Sequence, residues 1–446
     1  MKSSSCSLLL CALLLVGCAA RSRIIQSSDK PALLVPDSLG IVTVENLYRA
    51  VPRHVAGEAK IGMFSQIGLV PLDFFDEQTC SVTEPVRAYG TMQVRDLNAL
   101  TDYCLRQQVA SKVDPTKRPV TQQSIDVFFA TDRKEARDGA LLGFGNERGS
   151  LAMGLVKVSI PREHKLGALE RRSSSTLWPN SGEDGFEILS VRLQGQQSFF
   201  QQAKQQLETS KEKRAFVFVH GYNVSFADAA LRTAQLAVDL DPDALPAFFS
   251  WPSQGAMKAY AVDSQNAEWT EANLQNFLES FGSNSGANSI VVLAHSMGSR
   301  PTTRALAKVL DKRPDLRTKF KELVLAAPDI DADVFVRDLV PAYVAIRMPV
   351  TLYASAKDKA LQLSRQFNGA PRAGDANPRP PVVNGIETVD ATDIDTDFLG
   401  HAYVAETRPL LTDVTLLIRN RLRAADRPGL LKVDAGEGRS FWRFRR

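Results

Sequence analysis

An open, doubly wound α/β sheet is the fold class this sequence predicts, and two observations predict it. Apolar runs such as AFVFV (215–219) and IVVLA (290–294) lack polar alternation. That marks strands buried on both faces, as in a mostly parallel sheet covered by helices. From Ser124 onwards such runs alternate with stretches of helical periodicity, the pattern of repeated strand–helix units. Ligands in open sheets of this kind bind beyond the carboxyl ends of the strands, so chemistry is sought where the runs end.

The elements follow in order. SIDVFFATDR (124–133), GLVKVSIPR (154–162) and FEILSVRL (186–193) read as three strands, and 196–214 reads as a helix leading into the strand AFVFVHGYN (215–223). An amphipathic helix (224–240) precedes the strand LPAFFSWPSQG (245–255). EWTEANLQNFLESFG (268–282) is a helix for which Thr270 is the expected N-cap. Next come the strand SIVVLAHS (289–296), a helix through Leu310, and the strands KELVLAAPD (321–329) and PVTLYAS (349–355). A helix (358–367), a proline-rich loop (369–381), the strand IETVDAT (386–392) and a helix (401–423) complete this domain, 124–423. The remaining 424–446 ends in SFWRFRR, a basic, aromatic tail that either lies on anionic headgroups or forms a packed or disordered end.

Before Ser124 the texture differs. Residues 19–123 mix short apolar pieces with prolines and read as a small N-terminal appendage and linker, with a helical spacing of Leu97, Leu100, Cys104 and Leu105. Residues 1–18, MKSSSCSLLLCALLLVGC, carry Lys2 and an apolar core from Leu8 to Val16. That core is shorter than the ~20 residues a bilayer span needs, and fits the apolar region of an export signal. Its end, Leu15-Val16-Gly17-Cys18, resembles the bacterial lipobox, in which the peptide is cut before a cysteine that is then lipidated; an ordinary signal peptide is the alternative. Acyl chains on Cys18, palmitate-like, would anchor the protein in a membrane at ~0.8 kcal/mol per buried CH₂. The resemblance implies a bacterial cell-envelope location, with Ala19 favouring the outer membrane, facing the periplasm. Cys80 and Cys104 are then the two thiols of the mature chain, and an oxidising compartment favours a disulfide between them over two buried free thiols.

Composition excludes little else. A net charge of +4 over 446 residues gives no electrostatic footprint for nucleic acid. Neither a phosphate-binding GxxxxGK[ST] nor a zinc-binding HExxH occurs, and the nearest histidine to the cysteine pair is His54, so no metal or cofactor is expected.

The chemistry-bearing stretch is Ala294-His295-Ser296-Met297-Gly298, where a buried strand hands over to a helix. It resembles the nucleophile elbow G-x-S-x-G, with alanine in the first glycine position; both flanking positions must be small for so tight a turn. The plain alternative is a serine helix cap. A serine hydroxyl needs a base, and of the five histidines His401 alone follows Ser296, just after the last strand, in LGHAY. The acid that orients it is Asp358, after the strand PVTLYAS, with Asp329, Asp331 and Asp333 of APDIDAD as competitors. His220-Gly221 resembles the HG motif whose loop supplies an oxyanion donor. Tyr222 and Met297 are the expected amide donors, and His220 is expected to be structural.

SIDVFFATDR, HGYN, FFSWPS, AHSMGS, LAAPDID and the GHAY helix, over about 124–420, resemble a bacterial α/β-hydrolase family of unknown function. The resemblance implies the α/β-hydrolase fold and a serine hydrolase, esterase- or lipase-like, with the triad Ser296, Asp358 and His401. Its expected partner is a small-molecule or lipid ester. The alternatives are an amidase or peptidase on the same triad, and a non-catalytic envelope lipoprotein that uses the scaffold for binding or assembly.

Overall fold

The computed structural model describes residues 124–138, 141–162, 164–170, 185–210, 212–241, 243–255, 259–394 and 408–445, together with four short strands nearer the N-terminus. The chain divides into two compact units, Met1–Asp114 and Pro115–Arg446. In the first, β1 (Ser22–Ser27) pairs antiparallel with β2 (Lys30–Pro36), and β3 (Phe75–Asp76) with β4 (Ser81–Val82). Cys18, Cys80, Cys104 and His401 lie outside the described residues, so the lipidation, disulfide and catalytic-base expectations fall there. Among the described residues no helix is long and apolar enough to cross a membrane.

The second unit is built on one 11-stranded sheet. In chain order its strands are β5 (Ser124–Asp138), β6 (Leu141–Ser159), β7 (Glu187–Gln194), β8 (Arg214–Val219), β9 (Leu245–Ser250), β10 (Ser289–His295), β11 (Phe320–Ala326), β12 (Val350–Ala354), β13 (Glu387–Asp390), β14 (Leu430–Gly436) and β15 (Arg439–Phe444). Their order in space is β14-β15-β13-β12-β11-β10-β8-β9-β5-β6-β7. Pairing is parallel from β15 through β5 and antiparallel at both edges.

Alternate residues of the central strands feed two separate cores, which is why these strands show no polar alternation. Val217, Val219, Ile290 and Val292 pack with Phe199, Phe277, Leu278 and Leu306, from the helices Gln196–Glu208, Tyr260–Asn284 and Ser299–Lys312. Phe216, Phe218, Val291 and Leu293 face the opposite layer, with Ala230, Ala234, Leu410 and Val414 from the helices Phe226–Leu240 and Arg408–Asn420. A doubly wound sheet with helices on both faces is therefore what the apolar runs encode.

The sheet fixes the place of the site. After β8 the chain moves outward to β9, then returns to the other side of β8 as β10. The loops that leave β8 and β10 thus diverge at a topological switch point, the place where open sheets form a crevice.

One expectation requires correction. The helix expected over 268–282 spans Tyr260–Asn284, so Thr270 is no N-cap: it is buried mid-helix and its hydroxyl donates to Asp132 Oδ2 at 2.9 Å. The added turns hid because their inward positions include polar Asp263 and Asn266, which interrupt the apolar period. Of the ends considered for the segment after 423, the packed one is found, as part of the sheet. Val389 and Asp390 of β13 pair in parallel with Trp442 and Arg443 of β15, and Phe441 and Phe444 are buried.

Candidate active site

Strand β10 ends at His295, and Ser296 follows with φ of 51°, a left-handed conformation rare for a residue with a side chain. A short 3₁₀ turn, Ser296–Gly298, then feeds the helix Ser299–Lys312. The serine is only 2% exposed, and Ala294 and Met297 are buried around it. A strained backbone at a strand-to-helix turn is the geometry that lifts a nucleophile above a sheet.

Two glycines explain how the turn is held. A Cβ on Gly221 would lie 2.7 Å from Ser296 Cβ, and one on Gly298 would lie 2.1 Å from the His220 carbonyl oxygen. The loop after β8 and the elbow after β10 therefore interlock, Gly221 against the Ser296 side chain and Gly298 against the His220 backbone, an approach that only glycine permits. This brings the backbone of Gly221 and Tyr222 beside Ser296, where the sequence placed one oxyanion donor. Met297 lies in the first helical turn, where amides have no partner within the helix. From the other side the Asp329 amide donates to the Ser296 carbonyl at 3.1 Å, so the loop after β11 converges on the same residue.

The candidate acids sit in different surroundings. Asp358 is buried beyond the end of β12 and caps the helix Lys359–Asn368, accepting the Leu361 amide at 3.0 Å. Asp329 sits closer in sequence to the elbow strand, but its carboxylate is enclosed. It accepts from Arg300 Nη2 (2.9 Å), Tyr260 Oη (2.7 Å) and Ser364 Oγ (2.6 Å), with Arg372 Nε 3.6 Å away. Asp331 caps the turn Ala332–Val334 through the amides of Asp333 and Val334, and Asp333 is exposed. Asp358 is thus the candidate that lies after β12, where the sequence placed the acid.

His220 lies beneath the site. Its ring stacks on Trp251 with centroids 5.2 Å apart. Nδ1 donates to the Gly221 carbonyl at 2.9 Å, and Nε2 accepts from Ser250 Oγ at 3.0 Å. Burial, with the nearby Arg133 charge, holds its pKa well below the ordinary histidine range, so it stays neutral.

Sequence reasoning passed over the group around His220. Arg133, buried within β5, donates to Ser250 Oγ (2.9 Å), the Ser253 carbonyl (3.0 Å) and the Val224 carbonyl (2.7 Å). Burial lowers its pKa to about 10, and it still carries its charge at neutral pH. Asp263 accepts from Ser253 Oγ (2.6 Å) and the amides of Gln254 (2.8 Å) and Asn223 (3.5 Å), while Trp251 Nε1 donates to the His220 carbonyl at 2.7 Å. The loop that carries the Tyr222 amide is thus pinned at His220, Asn223 and Val224. The available signal was a charged pair, Asp132-Arg133, closing an otherwise apolar run. Among the described residues no group of three or more His, Cys, Asp or Glu is placed to hold a metal ion.

A doubly wound sheet with a left-handed serine at its switch point, locked by an HG loop, defines an α/β-hydrolase. Residues 196–421, just over half of the chain, match the model of the family described as alpha/beta hydrolase of unknown function (DUF900), and the chain belongs to that family. Solved structures similar to it include a predicted CIB-like hydrolase from Thermoplasma acidophilum (15% identity, TM-score 0.29, covering 48% of this chain and 89% of that one). A carboxylesterase from Bacillus subtilis is also similar (8% identity, TM-score 0.29, 71% and 99% covered). So is a thermophilic carboxylesterase cloned from a metagenomic library (11% identity, TM-score 0.30, 72% and 98% covered). No curated protein matches the chain.

Proposed function

We propose that this α/β-hydrolase is a serine esterase that cleaves carboxylic esters through an acyl-enzyme. The observation that carries the reading is Ser296 itself: a near-buried hydroxyl on a left-handed turn, against the glycine of an HG loop. A serine that merely capped a helix would have no need of that strain, which costs of order 1–3 kcal/mol.

In the reaction, Ser296 Oγ attacks the ester carbonyl while His401 accepts its proton, and the Tyr222 and Met297 amides stabilise the oxyanion. Collapse expels the alcohol, which takes the proton from His401, and water then releases the acid by the same steps. His401 is assigned from the sequence, as the sole histidine C-terminal to Ser296. Asp358 orients it and stabilises the imidazolium. Lipidation of Cys18 would keep this chemistry at a membrane surface of the cell envelope, within reach of lipid esters.

A panel of p-nitrophenyl esters tests the reading, with matched amide and peptide substrates beside them. Ester hydrolysis by the wild type that falls by ~10⁴-fold or more in Ser296→Ala is the expected result. Turnover of amides or peptides in preference to esters replaces the esterase by the amidase reading, and hydrolysis equal in both proteins removes Ser296 from the mechanism.

A further inference from the structure

We propose that a fixed ledge of Tyr222, Tyr260, Leu363 and Phe367 beside Ser296 receives the acyl chain of the substrate. This rests on Ser296 being the nucleophile, and adds a substrate class: neutral esters of extended apolar acids in preference to acetate.

The ledge begins at the oxyanion loop. Tyr222 follows Gly221, whose backbone abuts Ser296, and its ring meets the edge of Tyr260 with centroids 5.6 Å apart. Tyr260 in turn stacks on Phe367 at 5.9 Å, the rings inclined by 20°. The two ring contacts join Tyr222, next to Gly221, to Phe367 in one apolar surface.

Tyr260 is held with unusual completeness for a surface-facing phenol. Its hydroxyl donates to Asp329 Oδ2 (2.7 Å), lies 2.7 Å from Ser364 Oγ, and accepts from Arg300 Nη2 (2.7 Å) and Asn368 Nδ2 (3.0 Å). Asp329 donates its amide to Ser296, and Arg300 stands four residues after Ser296 on the elbow helix. The ring is therefore tied to the nucleophile from a second side, and its face is preorganised rather than mobile.

The outer part of the ledge is open to water. Phe367 is 69% exposed and Leu363, one turn earlier on the same face of the helix, is 52% exposed. Single exposed apolar side chains need no explanation. Here the two share a helix that starts at Asp358 and lies against a ring fixed beside the catalytic serine. Arg300, the cation over Tyr260, already donates to Ser264, Asp329 and Tyr260. The ledge therefore offers a charged acyl group little, and a hydrocarbon chain an apolar surface worth ~25 cal/mol per Å² covered.

The test compares second-order rates of Ser296 modification by a methyl- and an octyl-substituted fluorophosphonate, on the full-length protein. The wild type is expected to react with the octyl reagent at least ~10-fold faster, a gain that a few buried methylenes supply. The double variant Leu363→Ala/Phe367→Ala is expected to lose most of that ratio while its methyl rate stays within about twofold, and Phe367→Trp to retain it. A ratio near one in the wild type, or the same ratio in the double variant, overturns the ledge and leaves the nucleophile standing. Absence of Ser296 labelling by both reagents overturns the esterase reading and the ledge with it.

Discussion

At the switch-point end of the sheet, Arg133 and Asp263 bond to the Ser250 and Ser253 hydroxyls and also to loop backbone: the Val224 and Ser253 carbonyls, and the Asn223 and Gln254 amides. At the far edge, under the C-terminal hairpin, a second buried group bonds mainly side chain to side chain. There Arg427 Nη1 donates to Asp413 Oδ2 (2.6 Å) and Tyr353 Oη (2.9 Å), and Nη2 to Glu387 Oε2 (3.2 Å). Arg423 links the same Glu387 to Glu322. Burial raises Asp413 to about 6, yet the adjacent Arg427 charge keeps it in an ion pair. Both groups bury charge at a desolvation cost. The first uses it to hold the loop that carries the Tyr222 amide, and the second to clamp the chain end onto the sheet. Buried polar groups thus divide into those that position chemistry and those that position elements.

That division is open to attack at four points, from the largest expected effect downward. Asp358→Asn retains a helix cap, because asparagine serves there as well as aspartate, but leaves the imidazolium without its counter-charge. Ester kcat is expected to drop by ~10³–10⁴-fold with the melting temperature nearly unchanged, while Asp329→Asn stays within about tenfold. Steady-state kinetics on the two variants separate the acids. Arg427→Ala leaves Asp413 buried without its partner, and denaturant melts are expected to show a loss of about 3–5 kcal/mol with kcat of the folded protein unaltered. Asp263→Asn removes an acceptor from the Asn223 amide and Ser253 hydroxyl. The expectation is a fall in kcat of about 10–100-fold with KM within twofold, since a misplaced oxyanion donor acts on the transition state. A fall in stability without a kcat effect would move Asp263 into the second class.

The smallest effect concerns His164, which lies between Asp239 Oδ1 and Glu170 Oε2, each 2.9 Å from a ring nitrogen. Burial opposes its charge, but the hydrogen bonds and charges of Asp239 and Glu170 outweigh burial and raise its pKa. The stabilisation is therefore complete below the ordinary histidine value and fades as pH rises through the raised one. Thermal melts of wild type and His164→Gln are expected to differ by roughly 2–4 °C at pH 6 and to converge at pH 9.

The parts of the site that were legible in the sequence are those where backbone geometry demands particular residues. A turn as tight as the one at Ser296 needs Gly298, and the contact of the HG loop with the serine needs Gly221, so small residues at fixed spacing announce both. Strands β8 and β10 announce themselves because both faces are covered. What stayed hidden was tertiary. The first turns of the Tyr260–Asn284 helix bury Asp263 and Asn266, which read as surface residues until the partners Ser253 and Arg148 are known. Arg133 likewise reads as a strand end, and Tyr260 and Phe367, 107 residues apart, meet only in the fold. The tail left its packing open because β15, held between β14 and β13, mixes aromatic with basic residues and buries only Phe441 and Phe444 fully.

Intact-protein mass spectrometry after treatment with a fluorophosphonate probes the nucleophile most directly. A single adduct that maps to Ser296, and is missing from Ser296→Ala, is what a serine on this elbow predicts. Equal modification of both proteins, or none of the wild type, would contradict it.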